Sequence, residues 1–125
     1  MIVLDASALL VMLLKEPGHE KVAQRVPQSL ISAVNFSEVL ARLVREGLSP
    51  DEASPRLTEL GLTVISFDQT QATIAASIRE HARASGLGLA DCCCLALALT
   101  EGLPVLTADR IWATLGFFVP IELVR

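Results

Sequence analysis

The chain has 125 residues, of which 52% are hydrophobic and 19% charged, and its mean hydropathy is +0.53. That composition suits one domain over 1–125 with a sizeable core, and it excludes a disordered chain. Ten Lys and Arg against fourteen Asp and Glu give a net −4, which speaks against a polyanion held by general positive charge.

The longest apolar stretches, ALLVMLL and CCCLALAL, fall short of the roughly 18–20 residues that span a membrane, so no membrane partner is expected. The N-terminus has no basic segment and Asp5 interrupts its apolar run, so it reads as mature structure rather than a secretion signal. Cys92, Cys93 and Cys94 are adjacent and odd in number. They form neither a disulfide framework nor, with His19 or His81, a zinc pattern, and they read as reduced core residues. The expected location is the cytosol.

In chain order, 2–4 form a short buried strand and 6–14 a helix that stops near Pro17-Gly18. A second short helix is expected over about 20–26, a strand over SLIS at 29–32, and a long helix from AVNFSEVLARLVREG to the stop at Gly47. SPDE at 49–52 opens another helix, with Pro55 near its first turns, where proline is tolerated. LTVISF at 62–67 reads as a strand and QTQATIAASIREHARASG as a helix ended by Gly86. LADCCCLALALTEG is a helix apolar on nearly every side, and therefore buried. LPVLTA at 103–108 is a strand, DRIWATLG a short helix and FVPIEL a last strand. Apolar strands alternating with helices predict an α/β fold, a three-layer α/β/α sandwich around a mostly parallel sheet. Ligands of such sheets sit beyond the carboxyl ends of the strands, where Asp5 and Asp109 fall.

Each candidate acid has an ordinary alternative. Asp5 and Asp109 fit helix N-caps as well as a site, and Asp91 fits a first-turn acid favoured by the helix dipole. Asp91 nevertheless starts a buried helix, where an ionised carboxylate needs compensation. Glu38 points away from the stripe Phe36, Val39, Leu40, Leu43 and Val44, and an i,i+4 pair with Arg42 on a solvated face would look the same. If the four converge within about 4–5 Å, each like-charge pair costs several kcal/mol at an effective dielectric near 20. Oxygen-only ligands of this kind suit Mg²⁺ or Mn²⁺, which can activate water and stabilise charge on a phosphoryl group. Without the four, ten acids face ten bases (14 − 4 = 10), so the net charge does not exclude a phosphodiester substrate.

LDAS with Asp5 and Ser7, SEVLAR with Glu38, LADCCCLALAL with Asp91, and LTADRIW with Thr107 and Asp109 occur in an order that resembles the PIN-domain family. Within it they resemble the small VapC-type toxins of toxin–antitoxin pairs, over essentially the whole chain. The resemblance implies a PIN-like sandwich and a Mg²⁺- or Mn²⁺-dependent endoribonuclease leaving a 5′-phosphate and a 3′-hydroxyl. Asp5, Asp91, Asp109 and Glu38 would be its catalytic and metal-holding acids, with Ser7 and Thr107 supporting them. Arg42, Arg45 and Arg110, the basic residues nearest the acids in sequence, are candidates for substrate phosphate; each also reads as a surface Arg. With 4% aromatics and no Tyr, a base-stacking platform is not expected.

The resemblance also implies an RNA substrate, a homodimer and a cognate antitoxin. Leu9, Leu10, Met12, Leu13, Trp112, Phe117 and Phe118 could serve such surfaces, or simply the core. A phospho-acceptor receiver domain fits poorly, because Asp5 is followed by Ala6 and the only lysines are Lys15 and Lys21. A catalytically silent PIN-fold module for RNA binding or assembly, and a nuclease acting on DNA, remain the competing readings.

Overall fold

The computed structural model describes residues 1–115 and 118–125. Five strands form one parallel sheet: β1 (Ile2–Leu4), β2 (Ser29–Ser32), β3 (Thr63–Ile65), β4 (Val105–Thr107) and β5 (Ile121–Leu123), in the order β3-β2-β1-β4-β5. Among the described residues, six α-helices connect β1 through β4: α1 (Ala6–Leu13), α2 (His19–Arg25), α3 (Ala33–Arg45), α4 (Pro50–Glu59), α5 (Gln69–His81) and α6 (Leu89–Glu101).

The central strands β1, β2 and β4 are buried at every residue because both faces of the sheet are covered there. Ile2, Leu4, Ile31 and Leu106 face a core built with Leu9, Val11, Val22, Phe36, Val39, Leu43 and Leu57 from α1 to α4. Val3, Leu30 and Val105 face the other way, onto Ala75 and Ile78 of α5, Cys92 to Ala98 of α6, and Trp112. This is the α/β/α sandwich expected from the alternation. It places β1 at the centre, so the residue after β1 emerges in the middle of the sheet's carboxyl edge.

Local chemistry sets the helix ends. The Ser32 hydroxyl caps α3 by accepting the Val34 N–H at 3.2 Å, and Asp68 caps α5 by accepting the Gln71 N–H at 2.8 Å. Gly102 ends α6 at φ +66°, a left-handed conformation that costs glycine little.

Four details differ from the sequence reading. Pro50 takes the first position of α4, so Pro55 falls inside that helix, past the turn whose N–H groups lack partners anyway. The stretch expected as a single helix to Gly86 ends at His81 and continues as a 3-10 turn, Arg83–Ser85. DRIW likewise opens a 3-10 helix, Arg110–Leu115, rather than an α-helix. Burial of α6 is confined to its middle, since Leu89 is 56% and Leu99 39% exposed. Among the surface candidates of the sequence reading, Leu9 and Trp112 are fully buried, Leu10, Met12, Leu13 and Phe118 pack against the core, and Phe117 lies outside the described residues. Among the described residues, no helix is long and apolar enough to cross a membrane.

Candidate active site

The sheet register builds the site from its centre outward. Leu4 pairs with Leu106, and the Asp5 N–H donates to the Leu106 carbonyl, which sets Asp5 beside Thr107. Asp5 is only 5% exposed. It stands at the N-cap of α1 with extended backbone, yet its side chain makes no cap bond. Instead Oδ2 accepts the Ser7 hydroxyl at 2.6 Å and the Thr107 hydroxyl at 2.8 Å. A hydroxyl has one proton to donate and lone pairs to spare. Accordingly Ser7 Oγ accepts the Ala108 N–H and Thr107 Oγ1 accepts the Asp109 N–H, each at 3.0 Å. Asp5, Ser7, Thr107 and the chain leading to Asp109 thus form one hydrogen-bonded unit across β1 and β4.

Glu38 projects from the exposed side of α3, as its spacing predicts. Phe36, Val39 and Leu43 are buried and Leu40 is packed against the core, whereas Val44 at the end of the stripe is exposed. Glu38 is not paired with Arg42. Its Oε1 accepts the Asn35 side-chain amide at 2.9 Å, while Arg42 turns to Glu46 at 3.2 Å. Asp91, half-buried at the start of α6, accepts the Gly88 N–H through Oδ2 at 3.0 Å. Asp109 accepts the Ile111 N–H through Oδ1 at 3.0 Å.

These four acids line one cleft of about 330 Å³, together with Ala6, Ser7, Leu10, Arg42 and Arg45. Thr107 supports the floor through Asp5. Arg110 is not among the lining residues, and its guanidinium donates to the Arg125 carbonyl. Electrostatics ties the acids together. Burial raises the Asp5 carboxyl from its ordinary 3.8 to about 6, the charges of Asp91 and Glu38 push the same way, and the two hydroxyls resist. Burial also raises Asp91, with the Gly88 N–H opposing and the charge of Asp109 adding. Behind them, burial pushes the Cys94 thiol well up, reinforced by the charges of Asp5, Asp91 and Glu38; its Sγ lies 3.8 Å from the Leu4 carbonyl.

One regularity bears on ligand binding. Each of the four carboxylates has one oxygen held by hydrogen bonds: Asp5 Oδ2, Glu38 Oε1, Asp91 Oδ2 and Asp109 Oδ1. The other oxygen of each accepts none among the described residues. Such a donor set, oxygen-only and partly oriented, has the chemistry a hard divalent cation takes. Among the described residues, though, no three His, Cys, Asp or Glu side chains are grouped closely enough to enclose an ion as they stand. Sequence reasoning missed Asn35, which is buried and joins Glu38 to the Ala90 carbonyl of α6. A buried polar residue three positions before an acid on one helix was the available signal.

A parallel sheet with an acidic cleft at its carboxyl edge defines a class of α/β protein, and the family follows from comparison. The PIN domain family model matches residues 2–117, so the chain belongs to the PIN domain family. No curated protein matches in a comparison of sequences. Among solved structures, the chain is similar to a toxin–antitoxin complex from Klebsiella pneumoniae (TM-score 0.81, 18% identity, 100% of this chain and 98% of that one). It is also similar to DNA-bound VapBC from Salmonella typhimurium (TM-score 0.74, 20% identity, all of both chains). A third is VapC20 of Mycobacterium tuberculosis, described as a Sarcin-Ricin loop cleaving toxin (TM-score 0.74, 14% identity, 93% of this chain and 95% of that one). At these identities the likeness concerns the fold.

Proposed function

We propose that the chain is the toxin of a type II toxin–antitoxin pair, an endoribonuclease that hydrolyses RNA phosphodiester bonds with Mg²⁺ or Mn²⁺ in the cleft of Asp5, Glu38, Asp91 and Asp109. The observation that carries this reading is the convergence of four acids, from four separate elements, on one cleft at the carboxyl edge of the sheet. Nothing in the core requires them there, and their mutual repulsion opposes folding. Membership of the PIN family and the likeness to toxin–antitoxin complexes support the toxin role. The likeness to toxin–antitoxin complexes supports an antitoxin partner; a homodimer and a cytoplasmic setting belong to the proposal as what the family resemblance implies.

In this reading Asp5, Asp91 and Asp109 would hold the cation, with the oxygens that carry no hydrogen bond free to do so, and Glu38 would complete the set or orient the attacking water. A divalent cation there supplies the positive charge that offsets the carboxylates and stabilises the phosphoryl oxygens. Ser7 and Thr107 fix Oδ2 of Asp5 and so fix the direction of its other oxygen. Glu38 would take the proton of the water that attacks phosphorus, while the bond to the ribose 3′ oxygen breaks and that oxygen takes a proton from solvent. Arg42 and Arg45, on the wall formed by α3, meet the phosphate flanks.

The test is cleavage of a mixed structured RNA pool by the purified protein, with Mg²⁺ or Mn²⁺ and with chelator, beside Asp91→Asn purified identically. Metal-dependent cleavage lost in Asp91→Asn is the expected result. Equal activity in the two proteins, or none in either across RNA and single-stranded DNA, would overturn the reading.

A further inference from the structure

Asn35 is an unusual residue for its position. It is the third residue of α3 and fully buried, among Phe36, Val39 and other apolar neighbours of that helix. Asparagine is a mediocre helix former whose amide competes with backbone bonds. Its Nδ2 donates twice, to Glu38 Oε1 at 2.9 Å and to the Ala90 carbonyl at 3.0 Å. Its Oδ1 is buried and accepts no hydrogen bond among the described residues. The partners dictate this orientation: turned over, the amide would set its oxygen against a carboxylate and a carbonyl.

Neither packing nor backbone satisfaction accounts for the residue. A leucine would fill the space without an unpaired oxygen. Ala90 is the second residue of α6, so its carbonyl belongs to the helix ladder and already has a backbone donor four residues on. What the amide adds is a link between that fixed point and an otherwise exposed carboxylate.

We infer that Asn35 is a positioning residue: anchored on the Ala90 carbonyl beside Asp91, its amide holds the Glu38 carboxylate toward the cleft and registers α3 against the start of α6. This deepens the reading of the cleft as a cation-dependent nuclease site and rests on it. A long, solvent-facing Glu loses much rotamer freedom when it is held for chemistry. An amide locked by a second bond takes that loss in the folded state, before any ligand arrives. Outer partners of this kind commonly change metal affinity by about 10–100-fold when removed.

Two measurements on the full chain test the inference. In metal-free protein, carbon relaxation of the Glu38 side chain shows restricted motion compared with exposed Glu59, and Asn35→Ala brings Glu38 to the mobility of Glu59. If Asn35→Ala does not fold, Asn35→Leu, which fills the site without a donor, gives the same release. Glu38 equally mobile before and after either substitution would overturn the inference. Calorimetry with Mn²⁺ then reads the consequence. Asn35→Ala weakens binding about tenfold in the parent, and by less than about twofold when Glu38 is already alanine. Equal losses in both backgrounds would assign Asn35 a merely structural role and overturn the inference. If the parent chain binds no Mn²⁺ and cleaves no RNA, the proposed function fails instead, and the relaxation measurement still decides the role of Asn35.

Discussion

Among the described residues, two α-helices begin at an aspartate that follows a strand, α1 at Asp5 and α5 at Asp68, and both aspartates have extended backbone. Asp68 is exposed and caps its helix by accepting the Gln71 N–H. Asp5 is buried and leaves its helix uncapped, taking two hydroxyls on one oxygen instead. The same residue in the same local setting thus has two uses. The deciding difference is not local, since it is the presence of Thr107 on the adjoining strand and of two further acids within electrostatic reach. A cap stabilises its own helix by about 1 kcal/mol. A buried carboxylate that forgoes the cap and sits among like charges destabilises the fold, which is the signature of a group kept for a ligand.

The most severe way to break the contrast is to neutralise each aspartate and follow RNA cleavage. On the proposed function, Asp5→Asn removes charge at the centre of the cleft and should lower metal-dependent cleavage by about a thousandfold or more, the several kcal/mol a cation site would contribute. Asp68→Asn changes cleavage by less than about twofold, because Asn caps nearly as well. A comparable loss in both would erase the distinction.

Next in size is the support beneath Asp5. Ser7→Ala and Thr107→Ala each remove a hydrogen bond that favours the ionised carboxylate. Each lowers Mn²⁺ affinity by about 10–100-fold, read by calorimetry, while the chain stays folded. Their effects are not additive, because both act on the same oxygen.

The pH dependence of stability sharpens the comparison further. The Asp5 carboxyl titrates at about 6 in the folded chain against an ordinary 3.8, so the folded state holds its proton more tightly than the unfolded one. The carboxyl therefore destabilises the fold progressively as pH rises from about 4 to about 6, and the full effect, about 3 kcal/mol at about 1.4 kcal/mol per unit, persists above that. Asp91 works in the same direction. Melting of the metal-free protein should rise when pH falls from about 7 to about 5, and the rise should shrink in Asp5→Asn. At about pH 7, Mg²⁺ should raise the melting temperature of the parent chain and leave Asp5→Asn unchanged. An unaltered pH profile in Asp5→Asn would move the burden to another group.

The smallest effect belongs to the cap itself. Asp68→Ala removes the bond to Gln71 and lowers stability by about 1 kcal/mol, a few degrees in melting temperature, with cleavage retained.

What the sequence made legible was whatever depends on local pattern. Strand and helix order, the parallel sheet and the outward direction of Glu38 follow from periodicity, and the structure bears them out. Partnerships across the fold were not legible. Nothing in the spacing distinguishes Arg42 from Asn35 as the partner of Glu38, because both lie within one turn of it on the helix surface. Arg110 follows Asp109 directly, yet its guanidinium reaches the Arg125 carbonyl rather than lining the cleft. Likewise, the Asp5 oxygen is shared between Ser7, two positions on, and Thr107, 102 positions away, and only the first partner lies within reach of a local reading.

The run of three cysteines in the middle of α6 has a practical consequence. All three side chains are buried, and burial pushes each thiol above its ordinary range, which keeps the reactive thiolate scarce. A thiol reagent can reach them only when α6 leaves the core. The rate of labelling is therefore a built-in gauge of how often the layer behind the cleft opens, and a ligand that clasps the acids in front of it should slow that clock.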